Sequence, residues 1–270
     1  MTTTRTHNSR PRPPAIALGG ALAALAAAGC MLIAPPDAEA KPRCFGKKAT
    51  ATGTNGKDRL KGSKGRDVIV AKGGNDDVST GPGKDFVCGG GGDDRLRSGH
   101  GVDKLDGGPG DDEVHGADGS DLIVKGGKGD DFCDGQRGAA DKLVCGPGDD
   151  VLLGGASASG GPGADRIEAY EGEVDGGSGN DTINDGYAID GLEIDAGSGN
   201  DEITGTFYVD VIRGGPDDDL IRAGDGDDDL FGDEGDDQLF GDLGDDDIDG
   251  GTGTDICDQG VGTGSILNCP

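Results

Sequence analysis

Hydrophobic positions in this chain are sparse and evenly spaced. From Gly53 a single aliphatic residue recurs every nine positions, each time after a stretch of Gly and Asp. Eight gapless units run to Val124: GTNGKDRLK, GSKGRDVIV, AKGGNDDVS, TGPGKDFVC, GGGGDDRLR, SGHGVDKLD, GGPGDDEVH and GADGSDLIV. All eight have Gly at the fourth position, Asp at the sixth and Leu, Ile or Val at the eighth. Seven more units run from Ala196 to Asp258, beginning AGSGNDEIT, GTFYVDVIR and GGPDDDLIR and ending GGTGTDICD. Between the two runs the period falters, with matching units at 126, 145, 160 and 176. The pieces around Ala139-Ala140, Ala156 to Ser159 and Tyr187 to Asp195 read as insertions that loop out of the array or bend it.

Each unit predicts a six-residue turn followed by a three-residue strand. Side chains alternate along a strand, so the eighth residue points inward. Two units complete a coil of eighteen residues, which makes the chain all-β with two facing parallel sheets. Residues 53–258 give about eleven coils at ~4.8 Å each, a rod roughly 50 Å long. Turns on the same side then stack, bringing together aspartates eighteen apart: Asp76 with Asp94, Asp94 with Asp112, Asp85 with Asp103, Asp219 with Asp237, and Asp228 with Asp246.

Glycine at the first, second and fourth positions allows positive φ and lets carbonyls converge. The sixth-position Asp adds a carboxylate to that point. An all-oxygen donor set suits calcium, whereas a softer metal would call for His or Cys. The candidate ligands are Asp76, Asp85, Asp94, Asp103, Asp112, Asp121, Asp131, Asp150, Asp165, Asp181, Asp201, Asp219, Asp228, Asp237, Asp246 and Asp255. Four turns depart from the pattern and are weaker sites. Lys57 and Arg66 stand beside the first two aspartates, GTFYVD has Val209 and no fourth-position glycine, and GGPDDD has Asp217 there.

The motif GGxGxDxUx resembles the RTX, or haemolysin-type, calcium-binding repeat along nearly all of residues 53–258. The resemblance implies a right-handed parallel β-roll with calcium held between turns by the sixth-position Asp and backbone carbonyls.

Composition sharpens this picture. The formal charge is −29, Gly accounts for 58 of 270 residues, and Leu, Ile, Val and Phe together make up under a fifth. Such a chain reads as disordered unless something neutralises its acids. One aliphatic side chain per nine residues is too little burial to order the backbone. Calcium is therefore expected to be structural, with folding and binding a single equilibrium. A nucleic-acid partner is disfavoured, because phosphate repels so acidic a chain.

The first forty residues differ. Arg5, Arg10 and Arg12 precede an apolar run from Ala15 to Ala34, and Ala38-Glu39-Ala40 supplies a cleavage site, which together read as an export signal. The run is Ala-rich and ends in Pro35-Pro36, arguing against a membrane anchor, and Ala27 argues against lipoprotein processing at Cys30. The expected product is secreted, with no transmembrane span. Six cysteines remain after cleavage: Cys44, Cys88, Cys133, Cys145, Cys257 and Cys269. An even count in an exported chain suggests three disulfides. Of the fifteen pairings that six cysteines allow, the twelve-residue spacings favour Cys133 with Cys145 and Cys257 with Cys269, leaving Cys44 with Cys88.

The expected organisation is a signal over 1–40, a lead-in over 41–52, the roll over 53–258 with an irregular middle at about 135–195, and a tethered cap over 259–270. Charge is uneven: Lys41 to Lys104 carries 14 Lys/Arg against 8 Asp/Glu, whereas Ala196 to Asp258 carries 2 against 21. The basic end could dock to an anionic cell-wall or surface polymer, or simply trim repulsion. No catalytic motif is present. His100 and His115 occupy repeat positions, His7 lies in the signal, and no H-E-x-x-H or G-x-S-x-G occurs. The reading is a non-enzymatic calcium-binding protein with a structural or adhesive role. The alternatives are a soluble calcium-sequestering protein and, more distantly, an enzyme or toxin relative without its catalytic domain.

Overall fold

The computed structural model describes residues 41–136, 141–184 and 188–270. The export signal, Cys30, Ala139-Ala140 and Tyr187 lie outside these residues. No described residue is helical, and no described helix is long and apolar enough to cross a membrane.

A short antiparallel pair, Arg43–Cys44 with Lys47–Lys48, comes first. From there strands alternate between two parallel sheets. Among the described residues one has thirteen strands, from Ala51–Thr52 to Ile266–Leu267, and the other twelve, from Arg59–Lys61 to Ile256–Asp258. Each strand pairs with the strand one full coil away, giving a β-solenoid of the β-roll type. The registers Leu60↔Val78↔Leu96↔Val114 and Ile69↔Val87↔Leu105 step by eighteen residues.

This register explains how so few apolar residues make a core. A three-residue strand offers one inward side chain, and parallel stacking sets it directly above its counterpart in the next coil. Two aliphatic columns result, fully buried at Ile69, Val87 and Leu105 on one sheet and at Val78, Leu96 and Ile203 on the other. Neither column could exclude water alone, so the sheets close on each other.

Three expectations are corrected. The eighth unit, GADGSDLIV, keeps its frame only as far as Asp121. Leu122 is an extra residue, 43% exposed, whose N–H donates to the carbonyl of Asp103 at 2.9 Å. Strand alternation then restarts one residue late, so Val124 pairs with Leu105 and is fully buried while Ile123 is only half-buried. The stretch Ala156 to Ser159 does not loop out of the array. Ser157–Pro162 is a regular strand, with Ala158 in the core between Leu143 and Val174. Likewise Leu192–Ser198 is a strand that buries Leu192 and Ile194. The middle loses its Gly/Asp turns on one edge and keeps its strands.

The winding continues past Asp258. Ile266 pairs with Ile248 and Val261 bridges Leu243, both at the eighteen-residue step, although the sequence motif has ended. Among the described residues three cysteine pairs stand at disulfide distance: Cys44–Cys88, Cys133–Cys145 and Cys257–Cys269. Cys133 fills a core position, between Val114 and Leu152.

Candidate metal sites

The turns stack into two rows, one on each edge of the roll. All sixteen aspartates singled out from the sequence lie in them. Asp85, Asp103, Asp121, Asp228 and Asp246 stand in one row and the other eleven in the second.

Within a row the carboxylates are chained. The N–H of Asp76 donates to Oδ1 of Asp94 at 2.8 Å, and that of Asp94 to Oδ1 of Asp112 at 2.7 Å. The larger row continues this way from Asp58 to Asp255, through separations of 19, 15, 16 and 20 residues in the middle. In the smaller row Asp85 donates to Asp103, Asp103 to Asp121, and Asp228 to Asp246. Each Oδ1 thus pins the coil before it.

The other oxygen is different. Among the described residues, Oδ2 of seventeen turn aspartates is buried and receives no hydrogen bond: the sixteen above and Asp141. Other oxygens face it. A Cβ placed on Gly232 would stand 2.5 Å from both Asp237 Oδ2 and the carbonyl oxygen of Gly250. One on Gly250 would stand 2.8 Å from both Asp255 Oδ2 and the carbonyl of Asn268. A carboxylate and a carbonyl converging without a donor between them repel, and a hard cation is what this donor set fits. No group of three or more His, Cys, Asp or Glu side chains converges among the described residues. The chemistry on offer is therefore one carboxylate with backbone carbonyls.

Electrostatics point the same way. Burial, opposed by the backbone hydrogen bond and reinforced by neighbouring carboxylates, pushes Asp112 and Asp219 up to about 8. The same causes raise Asp121, Asp150 and Asp228 to about 7. Negative charge in these rows is costly unless it is matched.

Three turns are built otherwise. Asp58 Oδ2 accepts the N–H of Thr54 at 2.6 Å and its hydroxyl at 2.9 Å, and Asp67 Oδ2 accepts those of Ser63 at 2.6 and 3.0 Å. At Asp210, Oδ2 accepts the N–H of Thr206 at 2.6 Å and Oδ1 accepts its hydroxyl at 3.1 Å. The backbone separates the two kinds of turn. In all seventeen turns with an unpartnered Oδ2 the second residue has positive φ, including the non-glycines Lys72, Ala117, Gln136, Asp233 and Asp242. Thr54, Ser63 and Thr206 do not. With positive φ the second N–H turns outward to the next coil, as Gly81 does to Ser98 and Gly146 to Gly160. Without it, that N–H turns inward to the carboxylate.

Sequence reasoning passed over Asp141, because its turn carries one residue too many. The surviving signal was Asp141-Lys142-Leu143, which keeps the Asp-to-core spacing. The GGPDDD turn keeps the geometry of the others: Asp217 takes the glycine conformation at φ 84°, and Asp219 Oδ2 is buried without a donor.

Stacked Gly/Asp turns with one aliphatic column per sheet define a solenoid of calcium-binding repeats. The family model of the RTX calcium-binding nonapeptide repeat (4 copies) matches residues 52–87, 89–123, 123–140, 157–183, 195–230 and 222–257, well over half the chain. The chain belongs to that family. A comparison with curated proteins returned no match.

Proposed function

We propose that this is an exported protein that folds on binding several calcium ions in its stacked turns, and that the folded roll has a structural or adhesive role at the cell surface. The observation that carries this reading is the set of seventeen buried carboxylate oxygens without a donor. Leaving a buried charge unmatched costs several kcal/mol, roughly, unless a partner arrives or the group is neutralised. The sixteen sequence-identified aspartates and Asp141 would hold the ions together with turn carbonyls. Calcium would supply the positive charge that lets the coils stack. Because the ligands meet only in the folded roll, binding free energy is folding free energy.

Residues 1–40 would serve as the export signal, 41–52 as a lead-in and 259–270 as a tethered cap. Sites of moderate affinity fill outside the cell and not in a low-calcium cytoplasm, so folding follows export. Circular dichroism of the purified protein should show a largely unfolded chain in chelator that gains β signal as calcium is added. A spectrum unchanged across the titration removes the reading.

The surface role rests on the basic segment Lys41 to Lys104, whose Arg59 side chain is 77% exposed. Pull-down on isolated cell walls, with and without calcium, separates it from soluble sequestration. Salt-sensitive, calcium-dependent retention supports adhesion, and a calcium-loaded protein that stays in solution supports sequestration.

A further inference from the structure

We infer that the turns of Asp58, Asp67 and Asp210 take no calcium, because a hydroxyl residue at the second turn position closes each of them with hydrogen bonds that do the ion's work. This rests on the calcium reading above and divides the turns within it.

In a closed turn, Oδ2 of Asp58 or Asp67 already holds two donors from the same residue, an N–H at 2.6 Å and a hydroxyl at 2.9 to 3.0 Å. The hydroxyl in turn accepts the N–H of the fourth residue: Gly56 and Gly65 at 3.2 Å, and Tyr208 at 2.9 Å. In turns with an unpartnered Oδ2 such as those of Asp76 and Asp94, the fourth N–H bonds to the next coil instead, Gly74 to Gly91 and Gly92 to Pro109. A closed turn is thus folded onto itself around its aspartate, and a cation would have to displace several short bonds to reach it.

The cause is local. Ser and Thr hydroxyls favour hydrogen bonds to backbone two residues on, and β-branched Thr resists positive φ. A Cβ alone does not close a turn, because Ala117, Lys72, Asp233 and Asp242 stand at the second position with positive φ beside an unpartnered Oδ2. The hydroxyl is what differs. Placement gives the division a consequence. Both closed turns at the N-terminal end belong to the first coil, which carries Lys57 and Arg66 and lies in sequence between the lead-in and the second coil that Cys44–Cys88 joins. The roll therefore begins with a coil whose turns need no ion, and calcium sites start at Asp76 and Asp85.

Native mass spectrometry at saturating calcium tests this by counting ions. Thr206→Gly and Thr206→Ala are expected to bind one more ion than the parent, and Thr206→Ser the same number. Asp242→Thr, in the same row as Thr206 and two eighteen-residue steps away, is expected to lose at least one ion, while Asp242→Ala keeps the parent count. Circular dichroism in calcium confirms that each variant is folded. Should any variant fail to fold, Asp233→Thr against Asp233→Ala repeats the comparison in the other row. A parent that loads calcium with equal counts in all variants overturns this inference alone. A parent that binds no calcium overturns the functional reading and this inference with it.

Discussion

The N–H of Asp150 donates to Oδ1 of Asp165 at 2.8 Å, although the two are 15 residues apart and not 18. The next links, Asp165 to Asp181 and Asp181 to Asp201, span 16 and 20 residues with the same geometry. Charge-assisted bonds of this kind hold one edge of the roll in step while changes in chain length collect on the other. Inserting two glycines between Tyr170 and Glu171, on the variable edge, should change stability by no more than about 0.6 kcal/mol. The same insertion after Gly163, in the Asp165 turn, should cost roughly 1–3 kcal/mol. Urea unfolding in calcium compares the two.

Charge and hydrogen bonding can be separated at Asp112, since its Oδ1 accepts the N–H of Asp94 and its Oδ2 has no donor. Asp112→Asn preserves shape and the Oδ1 acceptor but removes the anion. In calcium it should destabilise by roughly 1–3 kcal/mol and raise the calcium midpoint. In chelator, where the carboxylate is only a liability, the sign should reverse. Equal destabilisation in both conditions would argue against a metal role.

Acidity should substitute in part for calcium. Burial raises Asp112 and Asp219 to about 8, well above the unfolded value of 3.8. Between those values the folded roll holds more protons than the unfolded chain, so metal-free stability falls as pH rises from about 4 to 8. Calcium must displace these protons, so its affinity rises across the same window. Chelated protein should gain β structure on acidification from pH 8 to pH 5, and calcium binding at pH 6 should release protons measurable by calorimetry in buffers of different ionisation enthalpy.

The frame slip at Leu122 makes a register test available. Val124→Ala should cost roughly 1–3 kcal/mol in calcium, since Val124 is fully buried in the aliphatic column. Ile123→Ala should cost well under that. The opposite order would restore the uninterrupted nine-residue frame.

Cys133 occupies a core position and bridges Cys145 across a twelve-residue separation. Removing this bridge alone, in Cys133→Ala with Cys145→Ala, should lower stability in calcium by about 2–4 kcal/mol. Cys133→Val with Cys145→Ala should recover part of that, because valine refills the column.

Much of this molecule was legible in its sequence because each repeat carries its own instructions. A sixth-position Asp and an eighth-position aliphatic residue fix turn, strand and inward face within nine residues, and stacking identical units leaves little choice of partner. That reasoning reached sixteen turn aspartates, the two parallel sheets and the cysteine pairs. Only the tertiary structure decided what depends on neighbouring coils. It showed that Asp141 joins a row despite its longer turn, that Val124 and not Ile123 faces inward, and that the strands run on through the irregular middle. It also showed that Thr54, Ser63 and Thr206 close their turns, a distinction carried by one φ angle and by where one N–H finds its acceptor. A periodic sequence specifies the unit, but the fate of each oxygen is settled only by the coil stacked against it.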